Sequence, residues 1–311
     1  MEKTDRSLLW EGFWQLADPK IWIASTVPMA VGGALAFGLE NTFNLYWFLV
    51  SMFGIFLIEI GKNAINEYID YQSGVDLFVT PDKRTPFSGG KKAIVDGKLT
   101  LKQTAVIAVV TMLGGCLTGL YIVFFREPSV IWIGMAGVFM AVFYSLPPLK
   151  LCYRGVGELT VGFTFGPLIL LGTFLVQVGT IYSEVVLASL PIGFIIANVL
   201  WINQYPDVEA DERGKKYNLV VRLGKKRGLI VYVLLYAAAY FSLLVLALVS
   251  SNLFWLLPFL GIPLVVRSIR VAYRSYNHVP RLVEANAKTV QAYQLTGATM
   301  TVAAILTRLL V

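Results

Sequence analysis

The chain has 311 residues, of which 57% are hydrophobic and only 14% charged, and its mean hydropathy is +0.68. Soluble domains carry roughly 25% charged residues, and here apolar runs recur to the last residue, so neither a soluble fold nor a single leader segment accounts for the composition. The net charge of +7 is read as basic residues kept on one side of a bilayer rather than as a surface for nucleic acid.

Residues 1–20 come first. Leu8, Leu9, Trp10, Phe13, Trp14 and Leu16 recur at near-helical spacing among charges, which predicts an amphipathic helix in the membrane interface. Asp18-Pro19 is expected to end it. A spanning helix needs about 20 mostly apolar residues. On that scale the remainder predicts nine spans, near residues 21–39, 45–68, 103–125, 129–147, 158–179, 184–204, 229–250, 253–273 and 291–310. The expected fold is an all-α polytopic bundle, one membrane domain over 1–311.

The connectors orient it. Those around 40–44, 126–128, 180–183 and 251–252 are short and hold one basic residue, Arg126. The alternate segments hold all but three of the 26 lysines and arginines, the exceptions being Arg126, Lys62 inside a span and Arg308. Basic loops stay in the cytoplasm. The N-terminus and any cavity at that end are therefore expected to face the cytoplasm.

The second span ends in polar residues, Lys62-Asn63-Ala64-Ile65-Asn66-Glu67-Tyr68-Ile69-Asp70, followed by Ser73-Gly74-Val75-Asp76. Asn66 and Asp70 share a helical face, with Asn63 one turn earlier. Ser73-Gly74 should stop the helix and let Asp76 reach back. The sixth span ends alike: Asn203, Asp207 and Asp211 are spaced by four and are expected on one helical face, with Pro206 kinking the helix or opening its backbone there. Carboxylates at a helix C-terminus oppose the helix dipole. Two matched clusters at one membrane face therefore indicate function rather than ordinary solvated helix ends.

Their chemistry is that of a hard cation. The chain has one histidine, His278, and two cysteines, Cys116 and Cys152, in unrelated settings, so thiolate or imidazole ligation is out of reach. Carboxylates and amides favour Mg²⁺, which also takes water and substrate phosphates. Lys83, Arg84, Lys150, Arg154, Lys215 and Lys216 surround the clusters and suit diphosphate oxygens. A cation transporter is the rival, but such sites sit near the bilayer midplane.

At these residues the chain resembles the UbiA superfamily of membrane aromatic prenyltransferases, and within it the 1,4-dihydroxy-2-naphthoate prenyltransferase branch. Asn66-Glu67-Tyr68-Ile69-Asp70 through Asp76 is similar to the first aspartate-rich motif, and Asp207-Val208-Glu209-Ala210-Asp211 to the second. Gly214-Lys215-Lys216 with Val221-Arg222-Leu223-Gly224, and Tyr144 through Glu158, resemble further family segments. Glu67 stands where the branch usually has Asp, and Asp18 where Arg is common.

The resemblance implies Mg²⁺-dependent transfer of a polyprenyl group from its diphosphate to an aromatic acceptor. It implies 1,4-dihydroxy-2-naphthoate as that acceptor, on the route to menaquinone. Hydroxybenzoate, homogentisate and a glycerol lipid are the alternatives. By the same resemblance Asn66, Asp70, Asp76, Asn203, Asp207 and Asp211 are expected to hold magnesium, Asp70 and Asp207 being catalytic. Asn63, Glu67, Lys83, Arg84, Lys150, Arg154 and Lys216 are expected at the substrate, and Lys62, a turn below Asn66, either joins them or snorkels to the interface. Tyr144 and Tyr153, with Tyr68, are candidates to stabilise an allylic cation. The glycines at 114–115 and 162–166 are expected to serve helix packing.

Overall fold

The computed structural model describes residues 5–87 and 90–308, and every regular element among them is helical. The first helix is α1 (Asp5–Ala17), within the segment expected at the membrane interface. Asp18 adopts a left-handed conformation and Pro19 opens a 3-10 turn, so the chain breaks where a proline without an N–H follows the helix. Then come α2 (Ile23–Glu40), α3 (Leu45–Ser73), the short α4 (Val75–Phe78), α5 (Leu101–Phe125), α6 (Val130–Phe143), α7 (Gly157–Phe163) and α8 (Ile169–Val178). A single π turn, Thr164–Leu168, joins α7 to α8 and carries Pro167. The rest is α9 (Ser183–Asn203), α10 (Val208–Arg213), α11 (Leu219–Leu223), α12 (Lys225–Val249), α13 (Ile262–Ser275) and α14 (Val279–Thr307).

Seven of the described helical segments are long and apolar enough to cross a membrane. The seven include the continuous α7–α8 and the run of 3-10 turns and helix from Leu253 to Ser275. Two of the nine expected spans fall outside that group. α6 has only 14 residues because the chain turns from Tyr144 onward, and α14 has 29 residues but is polar along much of its length.

The exposed side chains are inverted relative to a soluble fold. α5 presents Val110, Leu113, Leu117, Phe124 and Phe125 outward, and α12 presents Leu234, Phe241 and Leu248. Such a continuous apolar belt has no place in water and is what lipid tails require. Inside, Trp201, Trp255, Tyr232, Tyr236 and Tyr293 are the large buried residues. Their polar atoms are satisfied locally: Tyr232 meets Thr289 and Ser268, and Trp201 donates to the Gly228 carbonyl.

Small residues set the helix spacing. A Cβ at Gly166 would lie 2.6 Å from Gly193 Cα, and one at Gly115 2.5 Å from Ile58 Cδ1. These glycines therefore let α7–α9 and α3–α5 approach, in the way expected for membrane helices.

The two ends of the bundle are sewn differently. At one end short connectors interlock: Arg126 caps the carbonyls of Val176 and Gln177, and Asn44 bonds Gln177. At the other end the long basic loops gather, with Gln15 on α1 reaching Lys91 and Asp96 and Lys83 reaching Glu209. All the acidic motifs lie at the basic end.

Candidate functional site: two helix tips over an apolar cavity

α3 stops at Gly74, whose φ of 82° places it in the left-handed region that glycine enters without a Cβ penalty. The chain doubles back at once into α4, which buries Asp76. α9 stops at Asn203, because the following 3-10 turn, Tyr205–Asp207, contains Pro206. That turn is a correction to the sequence reading. Asn203, Asp207 and Asp211 do not line one continuous helix face, since a proline inside the turn withholds the N–H that would extend α9.

The two tips nevertheless meet. A Cβ on Gly214, just after α10, would overlap the Val75 side chain of α4. Between the tips lies Lys216, whose Nζ is 2.8 Å from Asp70 Oδ2 and 3.9 Å from Asp211 Oδ1. Asp70 is 1% exposed and fully engaged. Tyr153 donates to its Oδ1 at 2.6 Å and Asn66 to its Oδ2 at 2.9 Å. Asn66 in turn accepts from Ser145. Asp211, on α10, accepts from Asn218 at 2.7 Å, and Asp207, at the end of the preceding 3-10 turn, is also buried.

The electrostatics follow from these contacts. Burial pushes the Lys216 ammonium toward neutrality, but Asp70 and Asp211 outweigh it and hold the group well above the ordinary lysine range. Burial, reinforced by the Asp70 charge, raises the Tyr153 hydroxyl, so it stays a donor. Burial drives the Asp76 carboxyl up to about 8, with repulsion from Asp70 and Glu67 adding to it. Burial likewise takes the Cys152 thiol to about 12, which makes it an inert packing group.

A metal fits this donor set. Asp76 Oδ2 is buried with no hydrogen-bond donor, an arrangement that costs free energy unless a cation or proton joins it. The candidate ligands from the two tips are carboxylate or amide oxygens, which suit a hard divalent ion. Among the described residues no three acidic, histidine or cysteine side chains are already gathered at ligand distances. Lys216 holds Asp70 and Asp211 on either side of its own charge.

Several residues expected at the substrate have other work. Glu67 is fully buried and accepts the backbone N–H groups of Lys91, Lys92 and Ile94 at 3.0, 2.8 and 3.0 Å. It anchors the basic loop, because its longer arm reaches three donors that a loop without regular structure must satisfy somewhere. That loop returns Gly90 and Lys92 to the site. Gly90 has φ 74°, and a Cβ there would overlap Asp76 Oδ1. Lys92 Nζ lies 3.9 Å from the same oxygen. Replacing Glu67 with Ala orphans three donors, and the two buried ones, of Lys92 and Ile94, cost about 1–3 kcal/mol each before relaxation. The expected result is a lower melting temperature, with fast amide exchange confined first to residues 90–99.

Asn63 is spent on the Leu16 carbonyl and ties α1 to α3. Lys83 and Arg84 form surface pairs with Glu209 and Asp96, and Arg154 bonds the Pro148 carbonyl. Lys150 stands over the Tyr153 ring, 4.9 Å from its centroid, and Lys216 is 5.5 Å from it. Two resident cations therefore already hold that ring, while Tyr144 faces the cavity below.

The cavity measures about 770 Å³. It runs between α3, α5, α6, α8 and α9, and its walls are almost wholly apolar, including Ile58, Val123, Met140, Leu168 and Val199. Tyr144, Lys62, Glu59 and Asn203 are among the polar residues that line it. Asn203 accepts from Asn286 of α14 at 2.7 Å, which brings a third long helix to the site. Sequence reasoning missed Ser145, Asn218, Asn286 and the Gly90–Lys92 return. Only Gly90-Lys91-Lys92 carried a local signal, a glycine beside two cations.

Residues 25–289 match the UbiA prenyltransferase family. The chain is similar to the 1,4-dihydroxy-2-naphthoate octaprenyltransferase of Bacillus subtilis, 28% identical over 83% of this chain and 80% of that one. It is also similar to the UbiA prenyltransferase domain-containing protein 1 of Dictyostelium discoideum, 26% identical over 79% and 74% respectively. A UbiA homolog from Archaeoglobus fulgidus, solved bound to DMAPP and Mg²⁺, has the same fold, with a TM-score of 0.67 at 15% identity over 96% of this chain and 99% of that one.

Proposed function

The chain belongs to the UbiA prenyltransferase family, and from that premise we propose that it transfers a polyprenyl group from a prenyl diphosphate to 1,4-dihydroxy-2-naphthoate, using Mg²⁺ at the two acidic tips. The observation that carries this reading is the pairing of Asp70 on one tip with Asp211 on the other through Lys216, where α3 and α9, whose Lys62 and Asn203 line an apolar cavity, come to their ends. Relatives from B. subtilis, Haemophilus influenzae and Escherichia coli named for that naphthoate favour it as the acceptor.

In this reading the nine helices, seven of them apolar enough to be counted by composition, span the membrane with the N-terminus and the site in the cytoplasm. The carboxylates of Asp70, Asp76, Asp207 and Asp211 hold the metal, and Asn66 and Asn203 supply amide oxygens. When bound, Mg²⁺ supplies the positive charge that pyrophosphate needs as the allylic C–O bond ionises. Lys216, Lys92 and Lys150 are the cations placed to take diphosphate oxygens. Tyr153 fixes Asp70 by its hydrogen bond, and the Tyr144 ring faces the allylic carbon. The cavity takes the tail and keeps water from the cation.

Purified protein given Mg²⁺, a long prenyl diphosphate and a panel of aromatic acids is expected to release pyrophosphate fastest with the naphthoate. Equal rates with hydroxybenzoate or homogentisate would shift the acceptor. No release with any of them would end the reading.

The Asp76 proton gives a pH signature. A carboxyl whose folded value is raised to about 8 binds more protons folded than unfolded between its ordinary value and 8. Without a divalent cation, its contribution to stability therefore declines as pH rises through that window. Mg²⁺ must displace the proton, so its half-saturating concentration is expected to fall about tenfold per pH unit up to pH 8. Thermal melts at pH 6.5 and 8.5, with and without Mg²⁺, measure both effects.

A further inference from the structure

Glu59 is a buried carboxylate in an apolar helix that the diphosphate chemistry does not use. It is 5% exposed, lines the apolar cavity, and neither carboxylate oxygen has a hydrogen-bond partner. Ser25 Oγ of α2 is buried beside it, outside hydrogen-bond geometry. Its charged surroundings are few. Lys62 lines the same cavity one turn along α3, while Lys91 and Asp18 are paired with each other at 2.6 Å. Tyr293 of α14 spends its hydroxyl on the Ala24 carbonyl. Buried charges without partners persist only where function requires them.

The spacing says what they face. Residues 59, 62, 66 and 70 follow the helical repeat of α3, so Glu59, Lys62, Asn66 and Asp70 form one polar stripe along that helix, whose lower members, Glu59 and Lys62, line the cavity. At 1.5 Å per residue, Lys62 lies about 6 Å and Glu59 about 10 Å below Asn66. That interval takes one or two aromatic rings between the diphosphate end and the apolar floor.

We propose that Glu59 and Lys62 form the acceptor subsite for an aromatic hydroxy acid, Lys62 pairing with its carboxylate and Glu59 accepting its ring hydroxyl. The assignment rests on the prenyl-transfer reading above and deepens it. The ring hydroxyl proton passes to the Glu59 carboxylate as a ring carbon uses its electron pair to bond the allylic carbon. The allylic C–O bond breaks and its electrons leave on pyrophosphate. The substituted ring carbon then loses CO₂, or a proton to pyrophosphate where it bears hydrogen. The ring regains aromaticity, and Glu59 returns its proton to the ring oxygen. Lys62 selects acids over neutral phenols, because an unpaired ammonium in an apolar wall gains most from an anion.

Two variants and two readouts test this. Glu59→Gln keeps the shape, removes an unpaired charge and is expected to melt no lower than wild type. Its transfer to the naphthoate should fall at least about 100-fold, the lower range for lost acid–base catalysis. Stabilisation by geranyl thiolodiphosphate with Mg²⁺ should stay within about twofold of wild type, since that site is two turns away. Lys62→Met should raise KM for the naphthoate about tenfold or more, and leave the corresponding naphthohydroquinone without a carboxyl group unchanged. Near-wild-type transfer by Glu59→Gln, or equal losses for both acceptors in Lys62→Met, would overturn the subsite. Failure of wild type itself to bind the thiolodiphosphate with Mg²⁺ would overturn the prenyl-transfer reading and the subsite with it.

Discussion

Replacing Asp70 with Asn is expected to reduce prenyl transfer by about 100- to 1,000-fold while the protein stays folded. The magnitude is that for removing one preorganised charge from a site where charge develops. Asp70 is where the tips join: it receives Tyr153, Asn66 and Lys216 within 2.9 Å. Alanine is a poor test here. Breaking a buried ion pair from one side costs about 3–5 kcal/mol, and lost folding would mimic lost chemistry. Asparagine keeps the shape and an acceptor for Tyr153, while it removes the charge and the second oxygen that accepts from Asn66 and Lys216. Lys216 would keep Asp211 as its remaining carboxylate, so the melting temperature should fall modestly while pyrophosphate release collapses. Wild-type turnover in this variant would remove Asp70 from the metal site.

A second large effect is expected from Gly137→Phe. Gly137 lies on α6 against the cavity, and a Cβ there would meet no atom within 4 Å. The benzyl group therefore enters space where the tail is expected to lie. Hydrophobic burial does not decide the outcome, because the tail leaves lipid, not water, when it enters. Steric overlap decides it, at about 1–3 kcal/mol for overfilling a packed space. Long prenyl donors should then lose roughly 5- to 150-fold in kcat/KM, and geranyl diphosphate should be used as in wild type. Equal losses for both lengths would place the tail elsewhere.

The parts legible from sequence were those with a periodic or local cause. The long apolar runs declared most spans, and basic loops declared which ends belong together. Gly74 ended α3 where its lack of a Cβ permits a left-handed turn. The spacing of Asn66 and Asp70 placed them in direct contact.

What the sequence did not reveal is which partner each side chain takes in the fold. Glu67 looked like one more acid of the motif, yet its carboxylate holds a loop more than twenty residues away. Lys83 and Arg84 looked like phosphate ligands, yet nearby surface acids engage them. Asn203 belonged to the second motif, but its bond to Asn286 depends on how α14 packs, which no local pattern encodes. Glu59, in the middle of an apolar run, resembled an isolated charge until the fold opened a cavity in front of it.

The central claim is that one divalent site is built from both tips. Mn²⁺ binding, followed by electron paramagnetic resonance in the presence of geranyl thiolodiphosphate, tests it most directly through Asp76→Asn on the first tip and Asp211→Asn on the second. The account predicts that each substitution alone weakens Mn²⁺ binding at least about tenfold. Unchanged Mn²⁺ affinity after neutralising either tip would contradict it.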